Sequence, residues 1–199
     1  MTEKRKIKER EFSDKNIKRN AYFYSITKES RNFVKNFLKK YDKKGIKILN
    51  YGCGRDNFLE FIKNAEVYGI DISNEYIKIN GQNKKSRIKL YVMDCEKTRF
   101  KKNYFNIILS HSILHHLNIR RAFYELNRIL KPSGKIICLE PIKYNPLIQL
   151  YRKLTPHLRT KWEKEHILTL KEIREAEKYF NIAKKQYFHL FTLLAIPFC

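Results

Sequence analysis

Short apolar runs alternate with helical patterns between residues 46 and 140, and this alternation constrains the fold more than any other feature. The runs are residues 46–51, 66–71, 88–94, 105–111 and 135–140. Ser73 can cap a helix that begins near Asn74. Repeated strand and helix units form parallel strands with helices on both faces, because each crossover is right-handed and packs back on the sheet. The sequence predicts a doubly wound, mostly parallel α/β sheet.

The remaining segments are predicted to be mainly helical. Residues 14–41 and 118–130 have helical spacing, and "KPSG" ends the second of these helices. Further helices are predicted from Leu170 to Tyr179, where "TLKE" has capping-box form, and after the first strand, where the apolar side consists of Phe58, Leu59, Phe61 and Ile62.

We expect one domain over residues 1–199. It comprises an N-terminal helical cap (1–44), a cofactor-binding core (45–141), and a substrate-side lid with the C-terminal part (142–199). Too few residues follow the stretch that begins at residue 179 to form a closing hairpin, so we expect that either the sheet is shortened at its C-terminal end or the chain is truncated.

The composition restricts the class of protein. The 199 residues carry a formal net charge of +23, but the lysines and arginines are spread along the chain. The charge therefore fits a general lysine bias, and it leaves a polyanionic substrate or contact with an acidic membrane surface open. Four cysteines without a C-x-x-C pair indicate neither zinc nor a disulfide framework. The N-terminus lacks a secretory signal, and we expect a cytoplasmic protein.

Polar residues follow the predicted strands at the edge where ligands bind in sheets of this kind. Gly52 and Gly54 let a ligand approach the backbone closely. Asp71 stands at the separation from these glycines where a carboxylate accepts hydrogen bonds from ribose hydroxyls. The Asp94 side chain can accept from an adenine amine, and the Cys95 amide can donate to a ring nitrogen. The pattern predicts a nucleoside site.

Five stretches in this region carry a resemblance to a known family. In order and spacing, class I S-adenosylmethionine-dependent methyltransferases have motifs similar to "ILNYGCGRD", "VYGIDIS", "YVMDCE", "FNIILSHSILHHL" and "LNRILKPSGKIICLEP". The resemblance covers about residues 46–141 and implies a Rossmann-like fold with S-adenosylmethionine as cofactor. The implied cofactor residues are Asn50, Gly52, Cys53, Gly54, Asp56, Asp71, Ile72, Asp94, Cys95 and Ser110. Within this set the glycines contact the methionine part, and Ser110 lies near the sulfonium.

Two positions depart from the family pattern. The family usually has an acid where this chain has Asn50, and often a final glycine where it has Asp56. Asn50 supplies no charge to the ammonium of the cofactor. We therefore expect Asp56 to restore a carboxylate there.

Histidines are the candidates for acid–base chemistry. A methyl group on a sulfonium is already electrophilic, so positioning and exclusion of water supply most of the rate, and a hydroxyl acceptor benefits from a base. His111, His115 and His116 follow the fourth strand. We take His111, His116 and His166 as the catalytic candidates; the adjacent pair also suits a purely structural role. No metal site is predicted, because no Cys or acidic ligand is spaced with these histidines.

The acceptor is expected to bind under residues 144–169. This segment is similar to one in bacterial methyltransferases that act on small or lipid-like molecules. Arg159 can hold an acidic group bidentately, and Tyr22 and Tyr144 complete the predicted acceptor-binding residues.

Three other functions remain for comparison. A nicotinamide dinucleotide site is disfavoured, because Asn57 replaces the third glycine of that motif. The net charge keeps an RNA methyltransferase acting on transfer RNA open as the alternative. The altered glycine motif allows a non-catalytic cofactor-binding subunit, although Asp71 and Asp94 argue against it. The leading prediction is a methyltransferase for a small-molecule or lipid-linked acceptor.

Overall fold

The computed structural model describes residues 2–15, 28–54, 58–82, 88–144 and 146–188. Its centre is a sheet of five parallel strands in the order β3-β2-β1-β4-β5. The strands are β1 (Lys47–Tyr51), β2 (Glu66–Asp71), β3 (Lys89–Val92), β4 (Phe105–His111) and β5 (Leu130–Leu139). From β1 the chain adds β2 and then β3 on one side of the sheet. It then crosses back, so that β4 lies on the other side of β1. The strand order therefore reverses between β1 and β4, which is where such sheets bind ligands.

Seven helices accompany the sheet in the described part of the chain. They are α1 (Thr2–Lys15), α2 (Lys28–Lys39), α3 (Asn74–Gly81), α4 (Ile119–Ile129), α5 (Pro146–Leu154), α6 (Lys161–Glu165) and α7 (Leu170–Ala176). Short 3₁₀ turns occur at Leu114–His116 and Pro156–Leu158. Within the described ranges, no helix is both long enough and apolar enough to cross a membrane.

The two faces of the sheet bury two separate clusters. Along β4, Ile107 packs with Val34 and Leu38 of α2, whereas the next residue, Ile108, packs with Leu126 of α4. Successive side chains of a strand point to opposite faces, so a strand covered by helices on both sides is apolar throughout. This arrangement confirms the predicted doubly wound α/β sheet.

Most predicted elements are present, and their local signals act as expected. The Ser73 hydroxyl accepts from the Tyr76 amide at the start of α3. Thr169 and Glu172 form the predicted capping box of α7, although this helix ends at Ala176, three residues before its predicted end at Tyr179. The predicted helix over residues 14–41 is present as the end of α1 and as α2; residues 16–27 lie outside the described part.

The predicted helix after β1 is wrong for the residues described. Residues 58–61 form turns, and the Ile62 amide donates to the Leu59 carbonyl at 3.0 Å. Asp42 provides the physical reason, because its carboxylate accepts from the backbone amides of residues 63, 64 and 65 at 2.6–3.0 Å. These bonds turn the chain directly into β2.

The strand β5 begins five residues before its predicted start. Phe105 pairs with Leu130, but Ile107 already pairs with Lys135, so residues 131–134 are an extra stretch in β5. "KPSG" therefore follows the end of α4 and forms an irregularity in the pairing of β5 with β4. Because β5 is an edge strand, it tolerates the proline. No strand follows β5 in the described residues up to 188.

Candidate active site

The bend after β1 depends on two glycines in the left-handed region. Gly52 has φ +70° and Gly54 has φ +55°. A Cβ on Gly52 would lie 2.3 Å from Cγ1 of Ile113, so the backbone passes this side chain closely. At Gly54, no atom of the described residues lies within 4 Å of the corresponding position. The described residues therefore leave that side of the bend accessible to a ligand.

Asp71 holds the bend from the end of β2. Its Oδ2 accepts from the Gly54 amide at 2.8 Å, and its Oδ1 accepts from the Ser73 amide at 2.9 Å. The residue is 7 % exposed, and this burial raises the pKa of its carboxyl group although both amides act in the opposite direction. The Ile72 amide also acts on this carboxylate, which has about four accepting positions in all and so keeps room for a hydrogen bond from a ligand.

Asp94 shares its carboxylate between two partners. Its Oδ1 accepts from the Glu96 amide at 2.8 Å, and its Oδ2 is bound by the Lys6 ammonium. The neighbouring Cys95 carbonyl accepts from the buried Tyr51 hydroxyl. The two predicted nucleoside carboxylates, Asp71 and Asp94, both line the same cavity.

Helix α1 lies across this edge of the sheet and is held there by polar contacts. Arg5 pairs with Glu96, and Glu9 binds both His116 and Thr160. Asp14 accepts from the Ser73 hydroxyl near the end of the helix. Sequence reasoning missed these contacts, because each joins residues far apart in the chain.

Ser110 lies directly beside the bend. It pairs in register with Tyr51 on one side and with Cys138 on the other, and it is fully buried. Its hydroxyl forms a hydrogen bond with the Cys138 side chain, and the residue is not on the cavity wall. Asn50, in the adjacent strand, is 6 % exposed and lines the cavity.

The three histidines after β4 have different surroundings. His111 packs edge-on against Phe58, with 5.8 Å between ring centroids. The Nδ1 atom of His115 lies 2.8 Å from Oε2 of Glu140, and Nδ1 of His116 lies 2.8 Å from Oε2 of Glu9. All three histidines line the cavity.

The remaining predicted residues are dispersed. His166 stacks on Trp162 with 3.5 Å between centroids, is exposed, and does not line the cavity. Arg159 lines the cavity, but its guanidinium donates to the Thr155 carbonyl at 2.7 Å. Tyr144 lines the cavity and is 57 % exposed. The other predicted cofactor residues on the cavity wall are Cys53, Ile72 and Cys95; Tyr22 and Asp56 lie outside the described residues.

The cavity is open and has a volume of about 2330 Å³. Typical ligand pockets measure roughly 300–1,000 Å³. The space therefore exceeds what one small ligand fills, and it extends from the nucleoside carboxylates past the histidines to the segment over residues 144–169. A parallel bridge between Ile142 and Leu168 joins the two ends of that segment.

Comparison with known proteins matches this region. Residues 49–138 match the model of a methyltransferase domain. An uncharacterized protein of Methanocaldococcus jannaschii is 34% identical over 129 residues, which are 64% of this chain and 49% of that protein. This matched part, somewhat less than half of the chain, is similar to the methyltransferase domain family. The resemblance to class I methyltransferases is thereby confirmed, and a dehydrogenase is set aside.

Two further methyltransferases extend the comparison. Phosphoethanolamine N-methyltransferase 3 of Arabidopsis thaliana is 30% identical over 132 residues, covering 60% of this chain and 27% of that protein. The structure of Haemonchus contortus phosphoethanolamine N-methyltransferase 2 with S-adenosyl-L-methionine has a TM-score of 0.57 at 20% identity, covering 74% of this chain and 36% of that one. It shows the shared Rossmann-like fold. The chain spans about half the length or less of the curated relatives it matches.

Proposed function

We propose that this protein transfers a methyl group from S-adenosylmethionine to a small-molecule or lipid-linked acceptor. The observation that carries the proposal is the pair of carboxylates, Asp71 and Asp94, on one cavity beside the glycine bend. An adenosine presents a ribose diol and an exocyclic amine, both hydrogen-bond donors, and the two carboxylates are acceptors. The similarity to the methyltransferase domain family supports the same ligand.

The described residues fit this cofactor chemically. The open side of Gly54 leaves room for the amino-acid tail, and Asn50 can accept from its ammonium. We keep Ser110 as a proposed residue near the reacting group, although it is fully buried and does not line the cavity. We keep Asp56 as the proposed second carboxylate for the ammonium. When bound, the cofactor supplies an electrophilic methyl group, and these side chains bind and orient it.

The acceptor is proposed to enter between the histidines and the segment over residues 144–169. Tyr144 is exposed on the cavity wall and Arg159 lies deeper in it. The Arabidopsis thaliana relative is named for methylation of phosphoethanolamine, which supports a small polar or lipid-precursor acceptor here. We retain His111, His116 and His166 as proposed catalytic residues, and note that His166 is the one outside the cavity.

A turnover screen tests the proposal. The purified protein is incubated with methyl-labelled S-adenosylmethionine and a cell extract that has been separated into lipid, RNA and small-metabolite pools; mass spectrometry then locates the added carbon. We expect label in the lipid or small-metabolite pool.

Calorimetry of cofactor binding provides the matched control. Asp94→Asn should weaken the affinity about 10- to 100-fold, because a hydrogen bond to a charged group contributes roughly 1.5–3 kcal/mol. Glu75→Gln changes an exposed acid that pairs with Lys78 and should change nothing. Equal affinity for both variants would refute the site, and binding without label in any pool would favour the non-catalytic subunit.

An RNA methyltransferase acting on transfer RNA is the second candidate. Its support is the net charge of +23 together with a group of lysines at the amino edge of the sheet. This group consists of Lys47, Lys89, Lys101, Lys102, Lys131 and Lys135. Transfer RNA should then bind tightly with a steep salt dependence, and label should appear in the RNA pool. Weak binding at low salt would exclude it.

A further inference from the structure

His115 and His116 are adjacent in sequence but are held by different elements. Their ring centroids are 4.2 Å apart. Glu140, directly after β5, binds His115, whereas Glu9 of α1 binds His116. His116 therefore belongs to the contact between α1 and the core, and His115 belongs to the core alone.

Glu140 fixes the orientation of His115. Its Oε1 accepts from the backbone amides of Ile113 and Leu114 at 2.8 and 2.9 Å, which leaves Oε2 directed at Nδ1 of His115. The side chains of His115 and Glu140 are 6 % and 5 % exposed. A neutral imidazole in this arrangement donates its Nδ1–H to the carboxylate. Its Nε2 then carries the lone pair and is the proton acceptor.

The surroundings shift the pKa values of the two rings in opposite directions. Burial and the neighbouring His116 lower the pKa of His115 and outweigh the opposing effects of Glu140 and Glu163. Burial alone would lower the pKa of His116 too, but the hydrogen bond that its Nδ1 donates to Glu9 and the charges of Glu163, Glu9 and Glu140 raise it. Neighbouring groups whose pKa values are driven apart are a signature of separate acid and base roles.

Other charged groups around the pair are already engaged. Glu163 of α6 is held by the guanidinium groups of Arg152 and Arg159, each at 3.4 Å. Arg5 acts on Glu9 and pairs with Glu96. The lowered pKa of His115 therefore follows mainly from its own burial and from the neighbouring His116.

We propose that His115, oriented by Glu140, is the general base of the methyl transfer, and that the acceptor is therefore a hydroxyl or an amine that loses a proton on methylation. The proposal rests on the proposed function. His115 would touch the acceptor and is the catalytic residue. Glu140 acts through His115 and is a positioning residue.

The proton and electron balance of the step is complete. The acceptor oxygen or nitrogen forms a bond to the methyl carbon while the carbon–sulfur bond breaks and its electron pair stays on sulfur. The proton of the acceptor passes to Nε2 of His115, and water later removes it. No oxidant or further reactant is required.

The first experiment observes the ring directly and needs no acceptor. Protein with ¹⁵N-labelled histidine is titrated by NMR, and His115→Asn and His116→Asn spectra assign the two rings. His115 should be a neutral ring with the proton on Nδ1 at pH 7, whereas His116 should titrate at a higher pH. A proton on Nε2 of His115, or the reverse order of titration, would overturn the proposal.

The second experiment measures methyl transfer to the pool labelled by wild-type protein. His115→Asn keeps a donor for Glu140 but no base, and kcat should fall about 100-fold or more with cofactor affinity within twofold. Wild-type kcat/KM should fall as the pH is lowered through the His115 pKa, and this limb should vanish in the variant. His157→Asn changes an exposed histidine away from the cavity and serves as the control.

Glu140→Gln keeps the proposal falsifiable if His115→Asn fails to fold. The amide still accepts from the two backbone groups but cannot stabilise the Nδ1–H form, so kcat should fall with KM unchanged and the pH limb should shift. Turnover of His115→Asn within threefold of wild type would refute the base assignment. Failure of the proposed function differs, because wild-type protein would then label no pool while the NMR result stood.

Discussion

The backbone at Gly52 passes close to the side chain of Ile113. Replacing Gly52 with alanine tests this geometry of the bend. The new Cβ would lie 2.3 Å from Cγ1 and 2.8 Å from Cβ of Ile113. Ile113 cannot withdraw by changing rotamer alone, because its Cβ is among the obstructing atoms. Its backbone amide is also held by Glu140 at 2.8 Å.

Two free-energy costs contribute to the destabilisation expected for Gly52→Ala. An L-residue in the left-handed region costs about 1–2 kcal/mol, and forcing an extra methyl group into a packed site costs about 1–3 kcal/mol. We therefore expect the free energy of unfolding to fall by roughly 2–5 kcal/mol. Gly54→Ala is the matched control: Gly54 has φ +55° and no atom of the described residues within 4 Å of an added Cβ, so only the first cost, about 1–2 kcal/mol, applies.

Urea denaturation of four variants measures the difference. In an Ile113→Ala background, Gly52→Ala should cost less than it does in wild type but still more than Gly54→Ala, because Cγ1 and Cδ1 are gone while the Cβ at 2.8 Å remains. The double-mutant cycle isolates the contact between positions 52 and 113. Equal destabilisation by the two glycine substitutions in wild type, or no coupling in the cycle, would refute the reasoning.

Three further predictions concern the charges of the structure. Lys6→Met should tighten cofactor binding roughly tenfold in calorimetry, about 1.4 kcal/mol, because it releases the Asp94 carboxylate; weaker binding would show that the lysine assists the cofactor. The raised pKa of His116 contributes to the free energy of unfolding below about pH 6.5, and this contribution is lost as the pH rises through the pKa of the folded state. The lowered pKa of Glu9 contributes above about pH 4.5, and this contribution is lost as the pH falls through the pKa of the folded state. Amide exchange in α1 should therefore be slowest between these limits, and Glu9→Gln should flatten this profile. Glu125→Ala should destabilise by about 3 kcal/mol in urea, since it leaves a charged partner without its carboxylate; a loss below 1 kcal/mol would contradict this.

The sheet could be predicted because its strands are buried on both faces. Continuous apolar runs bounded by turns gave the bounds of β2 and β4 as residues 66–71 and 105–111, and the structure has the same bounds. Asp71 and Asp94 could be placed on one edge for a related reason, since parallel strands end on the same side. In such segments the pattern of apolar residues indicates directly which residues are buried.

The position of α1 could not be predicted from local sequence. This helix has no apolar face toward the sheet that a pattern would reveal, and its contacts join residues such as Lys6 and Asp94, which are 88 positions apart. Similarly, sequence placed His115 and His116 together, and from sequence we take His116 rather than His115 as a catalytic candidate. The choice depends on Glu140 and Glu9, which approach them only in the folded chain.

The distribution of charge links the composition to the site. The chain carries 43 basic and 20 acidic residues, yet Glu9, Asp71, Glu96 and Glu163 are all buried around the cavity edge. A carboxylate is costly to bury unless a partner compensates it, so this grouping is hard to attribute to composition alone. The described structure supplies such partners. Arg5 pairs with Glu96, and Arg152 and Arg159 pair with Glu163. The buried carboxylates therefore serve first to bind basic residues of α1 and of the segment over residues 144–169 to the edge of the cavity.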